Sequence, residues 1–183
     1  MKNKIKISSN LLKWYDQHAR ELPWRIPPLK SKIGLKPDPY NVWLSEIMLQ
    51  QTTVKAVISY YESFILKWPN IMQLASTPEE EIMEAWAGLG YYRRARNLIQ
   101  CAKIVSSEYR GIFPKSERLL LKLPGIGSYT AAAIKSIAFD KKAVVVDGNI
   151  ARIISRLFAI DTPVALSQNK INTLASDLIP DKR

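Results

Sequence analysis

The sequence predicts an all-α fold, and three observations support that prediction. Hydrophobic residues recur along most of the chain at the spacing of one helix face. Prolines and glycines fall between these periodic stretches. The one strand-like run, residues 143–146, is too short to form a sheet and is interpreted as a buried extended connector. With 183 residues, 47% of them hydrophobic, the chain is long enough to bury a core.

The predicted helices begin and end at recognisable residues. Pro39 is well placed to begin a helix, Pro69 ends another, and Thr77-Pro78-Glu79-Glu80 has the pattern of a capping box. Ser167 is expected to cap the last helix. Helices are predicted at residues 10–20, 39–51, 53–68, 78–87, 91–109, 116–122, 128–139, 149–158 and 167–178, with a loop over residues 23–39.

The charge of the chain favours a polyanionic partner. There are 27 Lys and Arg residues against 16 Asp and Glu, a formal net charge of +11, and the basic residues are spread along the chain. Nucleic acid is a better match than a membrane surface, although a solvated basic surface is the alternative. No apolar stretch approaches the ~18 residues that cross a bilayer, and no signal peptide is recognisable, so a cytoplasmic protein is expected. Cys101 is the only cysteine, which predicts an ordinary packed helix residue and no disulfide within the chain.

A glycine turn separates two predicted helices. In Leu123-Pro124-Gly125-Ile126-Gly127-Ser128 the two glycines bracket one apolar residue, and glycine permits positive φ and close backbone approach. The next helix begins at Ser128, so its free N–H groups and its dipole point out of the same turn. Such a hairpin is an anion site suited to a DNA phosphate. The alternative is a turn that only packs two helices together.

Two carboxylates stand out by their surroundings. Glu46 lies in an apolar helix with Val42 one turn before it and Leu49 one turn after it. Burial there would raise the pKa of Glu46 and let it donate a proton near neutral pH; a surface glutamate is the alternative. Asp147 follows the apolar connector directly, and its alternative role is to cap the helix beginning at Asn149.

Four motifs together resemble the helix-hairpin-helix DNA glycosylases, and within them the MutY-type adenine glycosylases. They are Leu22-Pro23-Trp24-Arg25, residues 39–52, residues 88–98 and Val146-Asp147-Gly148-Asn149. The resemblance implies a six-helix domain over residues 31–140 and a second, incomplete helical domain built from residues 1–30 and 141–183. It also implies hydrolysis of the N-glycosidic bond of adenine mispaired with oxidised guanine or guanine, after the adenine is flipped out of the duplex.

The resemblance assigns roles to individual residues. Glu46 protonates N7 of adenine, Asp147 stays ionised beside the positive sugar, and Tyr129 and Asn149 stand beside these acids. Bifunctional relatives such as endonuclease III carry a lysine where this chain has Tyr129, and that amine forms a Schiff base that leads to strand cutting. Contacts to DNA or to a base are assigned to Trp24, Arg25, Gln51, Thr52, Leu89, Tyr91, Gly125, Gly127, Ser128 and Thr130.

Within that set, Trp24 and Arg25 belong to the flipped-base pocket, and Gln51, Thr52, Leu89 and Tyr91 surround the opposing purine. For the tryptophan and the tyrosine, core packing is the alternative. Backbone carbonyls of Leu121, Leu123 and Ile126 are implied as ligands of a hairpin cation. Double-stranded DNA with an adenine mismatch is the expected partner, bound by a monomer.

The chain departs from the family in two respects. The loop over residues 26–38 is longer than in many relatives. The family also continues past the end of this chain, into clustered cysteines that bind an iron-sulfur cluster of the 4Fe-4S type and into a C-terminal domain that recognises oxidised guanine. We therefore expect a fragment or truncated gene product whose cluster ligands are absent.

Three functions remain open from the sequence. The first is a monofunctional adenine DNA glycosylase of base excision repair. The second is a catalytically inactive DNA-binding remnant in which the hairpin still grips phosphate. The third is a glycosylase with strand-cutting activity of the endonuclease III type, against which Tyr129 argues because a phenol cannot form a Schiff base.

Overall fold

The computed structural model describes residues 2–180, with side chains from residue 6 onward. Within these residues the structure contains eleven α-helices, one 3-10 helix and no β-strand, so the prediction of an all-α fold is confirmed. Residue 1 and residues 181–183, which the sequence assigns to the second domain, lie outside the described residues. None of the described helices is long and apolar enough to cross a membrane.

The helices follow one another with short connections. They are α1 (Lys2–His18), α2 (Pro28–Lys32), α3 (Pro39–Leu49), α4 (Val54–Lys67), α5 (Ile71–Ser76), α6 (Glu79–Ala85), α7 (Tyr92–Tyr109), α8 (Glu117–Leu120), α9 (Ser128–Ile137), α10 (Gly148–Leu157) and α11 (Gln168–Leu178), with the 3-10 helix at Val164–Leu166. Two of the α-helices, α2 and α5, were not predicted. Both α2 and α5 are too short to show a helical hydrophobic period, and α5 is fixed instead by Asn70, whose side chain accepts the N–H of Gln73 at 3.0 Å.

Several predicted helix ends are wrong. The first helix begins at Lys2 and not near residue 10. Thr77 does not form a capping box, because its hydroxyl donates back to the Gln73 carbonyl at 2.8 Å and α6 begins after Pro78 without a side-chain cap. Ser167 stands at the N-cap of α11, but its hydroxyl bonds Thr162 and makes no cap bond.

Two hydrophobic clusters stabilise the described residues. The larger one contains the buried faces of α3, α4, α5, α6, α7 and α9. The smaller one contains Ala151 and Ile154 of α10 and Ile171 and Ala175 of α11, with the connector over residues 143–146 half-buried beside it. α1 packs on α11. The domain limits at residues 31–140 remain a prediction.

α3 lies at the centre of the larger cluster. Trp43, Leu44, Ile47 and Met48 are almost completely buried, and α3 packs on α4, α7 and α9. This agrees with the sequence, in which the helix carries little polar face. Because Glu46 belongs to the same helix, its position is fixed by packing on several sides. Cys101 is buried in α7, as predicted.

Candidate active site

A cavity of about 630 Å³ opens between α1, the segment before α2, α3 and the end of α9. Its size is ordinary for a small-molecule or base pocket. Glu46 lines it together with the first-motif residues Trp24 and Arg25. The other lining residues include Tyr15, Leu22, Val42, Ser45, Leu49, Ser136 and Ile137. Residues from four separate segments of the sequence therefore meet here.

Glu46 is the acid in the wall of this cavity. Its side chain is half-buried in the wall. Burial raises the pKa of Glu46 from 4.5 to about 7. The sequence predicts this direction. Near neutral pH about half of the molecules hold a proton on this carboxyl group, which is the condition for a general acid.

Tyr129 connects the two carboxylates electrostatically. It lies in the first turn of α9, and its pKa is raised first by burial and then by the negative charges of Glu46 and Asp147. Those charges can act on the phenol only if both carboxylates are near it. Glu46 and Asp147 are thus both within electrostatic reach of Tyr129, and of these three residues Glu46 lines the cavity.

Asp147 is the N-cap of α10. Its Oδ1 accepts the N–H of Ile150 at 2.7 Å, so the capping interpretation is confirmed. The cap also holds the carboxylate in one orientation. Asn149, the fourth catalytic candidate, is exposed, and its Oδ1 accepts from Arg152 Nη1 at 3.5 Å. The catalytic roles of Asp147 and Asn149 stay predictions.

Trp24 and Arg25 reach the cavity despite the long loop that follows them. Trp24 packs edge-on against Tyr61, with ring centroids 5.2 Å apart, so it belongs both to the core and to the cavity wall. Arg25 Nη1 donates to the Arg20 carbonyl at 3.2 Å, and its guanidinium lies 5.7 Å from the Tyr15 ring centroid. These contacts hold a positive charge at the rim.

The two hairpin glycines differ in their conformation. Gly125 has φ +76°, and a Cβ there would lie 3.0 Å from Asn97 Cβ, so this turn requires glycine. Gly127 corrects the expectation from the sequence: its φ is −89° with extended ψ, and a Cβ would meet no atom within 4 Å. The empty space in front of Gly127 is where a ligand of the hairpin would lie.

The N-terminus of α9 faces the same space. α9 has no side-chain cap, and its first intrahelical bond runs from the Ala131 N–H to the Gly127 carbonyl. Ser128 is exposed. Thr130 is buried and its hydroxyl accepts from Gln50 Nε2 at 3.4 Å, so its side chain packs inside the hairpin and not on its exposed surface. The geometry is that of an anion site.

The hairpin carbonyls are partly engaged. The Leu123 carbonyl accepts the N–H of Ile126 at 3.2 Å, which leaves one lone pair for another partner. The side chains of Leu123 and Ile126 are buried, and that of Leu121 is half-exposed. Cation binding by these three carbonyls remains a prediction.

Two turns on the other side of α3 carry the remaining candidates. Gln51 (φ +58°) and Tyr91 (φ +51°) are exposed and left-handed, and they line a second cavity of about 430 Å³. Thr52 is half-buried beside them. Leu89 is buried, because Gly88 and Gly90, both at positive φ, turn its side chain into the core, and its contact with DNA stays a prediction.

Arg94 was missed in the sequence. It is 7% exposed, and its guanidinium bonds both turns. The signal is present in the sequence, because Arg94 stands in register with the buried residues Leu98, Cys101 and Val105 on one face of α7. A charged residue on an apolar stripe is an exception that needs partners.

The iron-sulfur cluster implied by the resemblance does not fit the residues present. Across the described part of the chain, no three His, Cys, Asp or Glu side chains are grouped so as to hold a metal ion. Cys101 is buried, and burial raises the pKa of its thiol to about 12, whereas a 4Fe-4S cluster is held by four cysteine thiolates. No catalytic step is therefore derived through a cluster.

Comparison with known families agrees with this geometry. The profile of the HhH-GPD superfamily base excision DNA repair proteins matches residues 44–179. The chain belongs to that superfamily. Its fold is also that of a thermostable thymine-DNA glycosylase, with a TM-score of 0.82, 32% identity, and coverage of 98% of this chain and 80% of the other.

Within the superfamily, the chain is similar to adenine DNA glycosylases. It is 46% identical over 177 residues to the enzyme of Rattus norvegicus and 47% identical over 152 residues to that of Buchnera aphidicola, covering 95% and 82% of this chain. It spans 34% and 41% of the length of these relatives. An endonuclease III complex with DNA, at 23% identity and a TM-score of 0.74, shares the fold.

Proposed function

We propose that this chain is the base-excising part of a monofunctional adenine DNA glycosylase, which hydrolyses the N-glycosidic bond of adenine mispaired with oxidised guanine or guanine. The observation that supports this best is Glu46, a carboxyl group with a pKa of about 7 in the wall of a base-sized cavity. The similarity to adenine DNA glycosylases of rat and Buchnera supports the choice of adenine.

Extrusion of the adenine precedes the chemistry, because the glycosidic bond is inaccessible in a stacked base. The flipped base enters the cavity beside Trp24 and Arg25. The protonated Glu46 carboxyl donates its proton to N7 of adenine. The bonding electrons of the glycosidic bond then leave with a neutral base and not with an anion, which lowers the barrier.

Departure of the base leaves positive charge on the sugar. The Asp147 carboxylate, held by its cap bond to α10, stabilises that charge. Water adds to the anomeric carbon and gives up a proton, which the Glu46 carboxylate, ionised after its own proton has gone to the base, accepts. The product is an abasic site in an uncut strand. The logic is that of glycoside hydrolysis with two carboxylates in different protonation states.

Strand cutting is not part of the proposal. Tyr129 has no nucleophilic amine, and the amine of Lys135, on the same helix, bonds Glu117 at 2.9 Å. A Schiff base with the opened sugar therefore has no donor at this position. The endonuclease III alternative rests on fold similarity, whereas Tyr129 argues against it.

Duplex DNA is the proposed partner of the hairpin and of the basic surface. The main-chain N–H groups at the start of α9 bind one phosphate, and the net charge of +11 attracts the rest of the backbone. Binding as a monomer is sufficient. Since the substrate is chromosomal, we expect the protein in the cytoplasm with the nucleoid if its source is bacterial.

The test is adenine release under single-turnover conditions from a duplex with adenine opposite oxidised guanine. Glu46→Gln keeps the shape of the side chain and removes the proton, so release should cease while duplex affinity is retained. Glu62→Gln, at an exposed position of α4, is the matched control and should react like the parent. Duplex binding without any release by the parent would support the inactive remnant instead.

A further inference from the structure

One arginine joins two turns that are far apart in sequence. The first turn comprises residues 50–52, after α3, and the second comprises residues 88–91, before α7. Each contains a non-glycine residue in the left-handed region, Gln51 in the first turn and Tyr91 in the second. Such residues persist only where their surroundings hold them. The guanidinium group of Arg94 contacts both turns.

The two terminal nitrogens of Arg94 together bond both turns and the end of α3. Nη1 donates to the carbonyl of Met48 at 2.7 Å and also to those of Ile47 and Gln50, at the end of α3. Nη2 donates to the first turn through Thr52 Oγ1 at 2.9 Å. It also donates to the second turn through the carbonyls of Leu89 and Gly90, at 3.2 and 3.3 Å. A single planar group thus bonds both chain segments.

The charge of Arg94 is offset by dipoles and rings at its two terminal nitrogens, whereas its Nε has no hydrogen-bond partner among the described residues. The carbonyls of Ile47 and Met48 are at the negative end of the α3 dipole. The guanidinium carbon also lies 5.4 Å from the Trp86 ring centroid and 5.2 Å from that of Tyr91. Lysine offers a point charge without the planar fork, so it cannot reproduce this set of contacts.

We propose that Arg94 is a positioning residue that fixes Gln51 and Tyr91 relative to each other and so sets the preference for the base opposite the excised adenine. The inference rests on the proposed function. Gln51 and Tyr91 stand at the rim of the 430 Å³ cavity, and Arg94 contributes to its wall. A rim with fixed spacing can discriminate between opposing bases by the fit of hydrogen-bonding groups, whereas a mobile rim accepts several.

Arg94→Met and Arg94→Lys test this role, with Arg96→Met as the control that removes one charge from an exposed position of α7. The first readout is amide hydrogen exchange. Both Arg94 variants should accelerate exchange in both turns by about tenfold or more, because several hydrogen bonds to a charged group are lost, while α4 and α5 stay protected. Arg96→Met should leave both turns unchanged.

The second readout is affinity for duplexes that carry an unreactive adenine analogue opposite oxidised guanine or opposite cytosine. In the Arg94 variants the ratio between these two affinities should fall about tenfold, because a factor of ten corresponds to the loss of one buried hydrogen bond to a charged group. Acceleration in one turn only, or an unchanged ratio, would overturn the proposal.

Two further outcomes stay informative. If the variants do not fold, hydrogen exchange in the parent protein tests the role of Arg94. The amides of both turns should then exchange through one common opening equilibrium, and separate opening of the two turns would contradict the proposal. If the parent binds duplexes but releases no adenine, the proposed function fails, while the exchange and affinity measurements still test Arg94.

Discussion

Replacing Glu46 by glutamine should stabilise the protein at pH 8 and not at pH 4. Burial raises the pKa of Glu46 from 4.5 to about 7 in the folded state. Between these values the folded chain holds a proton that the unfolded chain has lost, so this group makes stability fall as pH rises through that window. Across this whole window the free energy of unfolding falls by at most about 3 kcal/mol.

Glutamine resembles the protonated acid and does not titrate. The variant should therefore match the parent below about pH 4.5 and exceed it by up to about 3 kcal/mol above pH 7. Urea denaturation of both proteins across this range measures the difference, and other titrating groups cancel in it. Glu62→Gln, exposed on α4, should show no such pH-dependent gain.

The same pKa governs catalysis, because the proton that Glu46 donates is lost as pH rises above 7. An ordinary glutamate would be protonated in only about one molecule in three hundred at pH 7, against about half for Glu46. Single-turnover base release should fall about tenfold for each pH unit above 7. A stability difference that stays constant from pH 4 to pH 8 would refute the reasoning, since Glu46 would then not titrate near neutrality.

The site leads to four further predictions. Asp147→Asn should keep the free energy of unfolding within about 0.5 kcal/mol of the parent, because Asn caps a helix as well as Asp does. The variant should nevertheless release no base, because the negative charge is lost. Turnover near the parent rate would exclude the role assigned to Asp147. Gly127→Leu should leave stability unchanged, because the space there is open, and weaken binding to every duplex alike; Gly125→Ala should cost about 1 kcal/mol or more in a denaturation curve. Borohydride treatment during the reaction should trap no covalent protein–DNA adduct, and a trapped adduct would contradict the monofunctional assignment.

The sequence predicted those parts of the fold in which prolines and glycines at the helix ends agree with the spacing of the hydrophobic residues. α3 follows Pro39 and α7 ends before Gly111, so both were placed close to their observed bounds. α5 was missed because six residues carry no period, and its cap at Asn70 was not recognised as a helix start. The capping box at Thr77 failed because its hydroxyl points back to the Gln73 carbonyl of α5, and α6 begins after Pro78 without a side-chain cap.

The site was predictable where the environment is local. The burial of Glu46 follows from its neighbours along α3, which the sequence displays. The sequence shows Arg94 as a charge on the apolar stripe of α7, but several of its partners are residues about forty positions away, so the fold is needed to identify them. The conformation of Gly127 was not predictable, since a glycine in the sequence does not show whether it provides a positive φ, as Gly125 does, or open space, as Gly127 does.

The cap at Asp147 has a consequence for how this position can evolve. Under the proposed function the residue meets two demands at once: an oxygen at the reach of the Ile150 N–H, and a negative charge beside the sugar. Asn, Ser and Thr meet the first demand and not the second, because they cap helices but carry no charge. Glutamate meets the second but is one methylene too long for the first. Inactive variants at this position should therefore accumulate as well-folded proteins that no stability screen detects, which makes it a place where activity is lost silently.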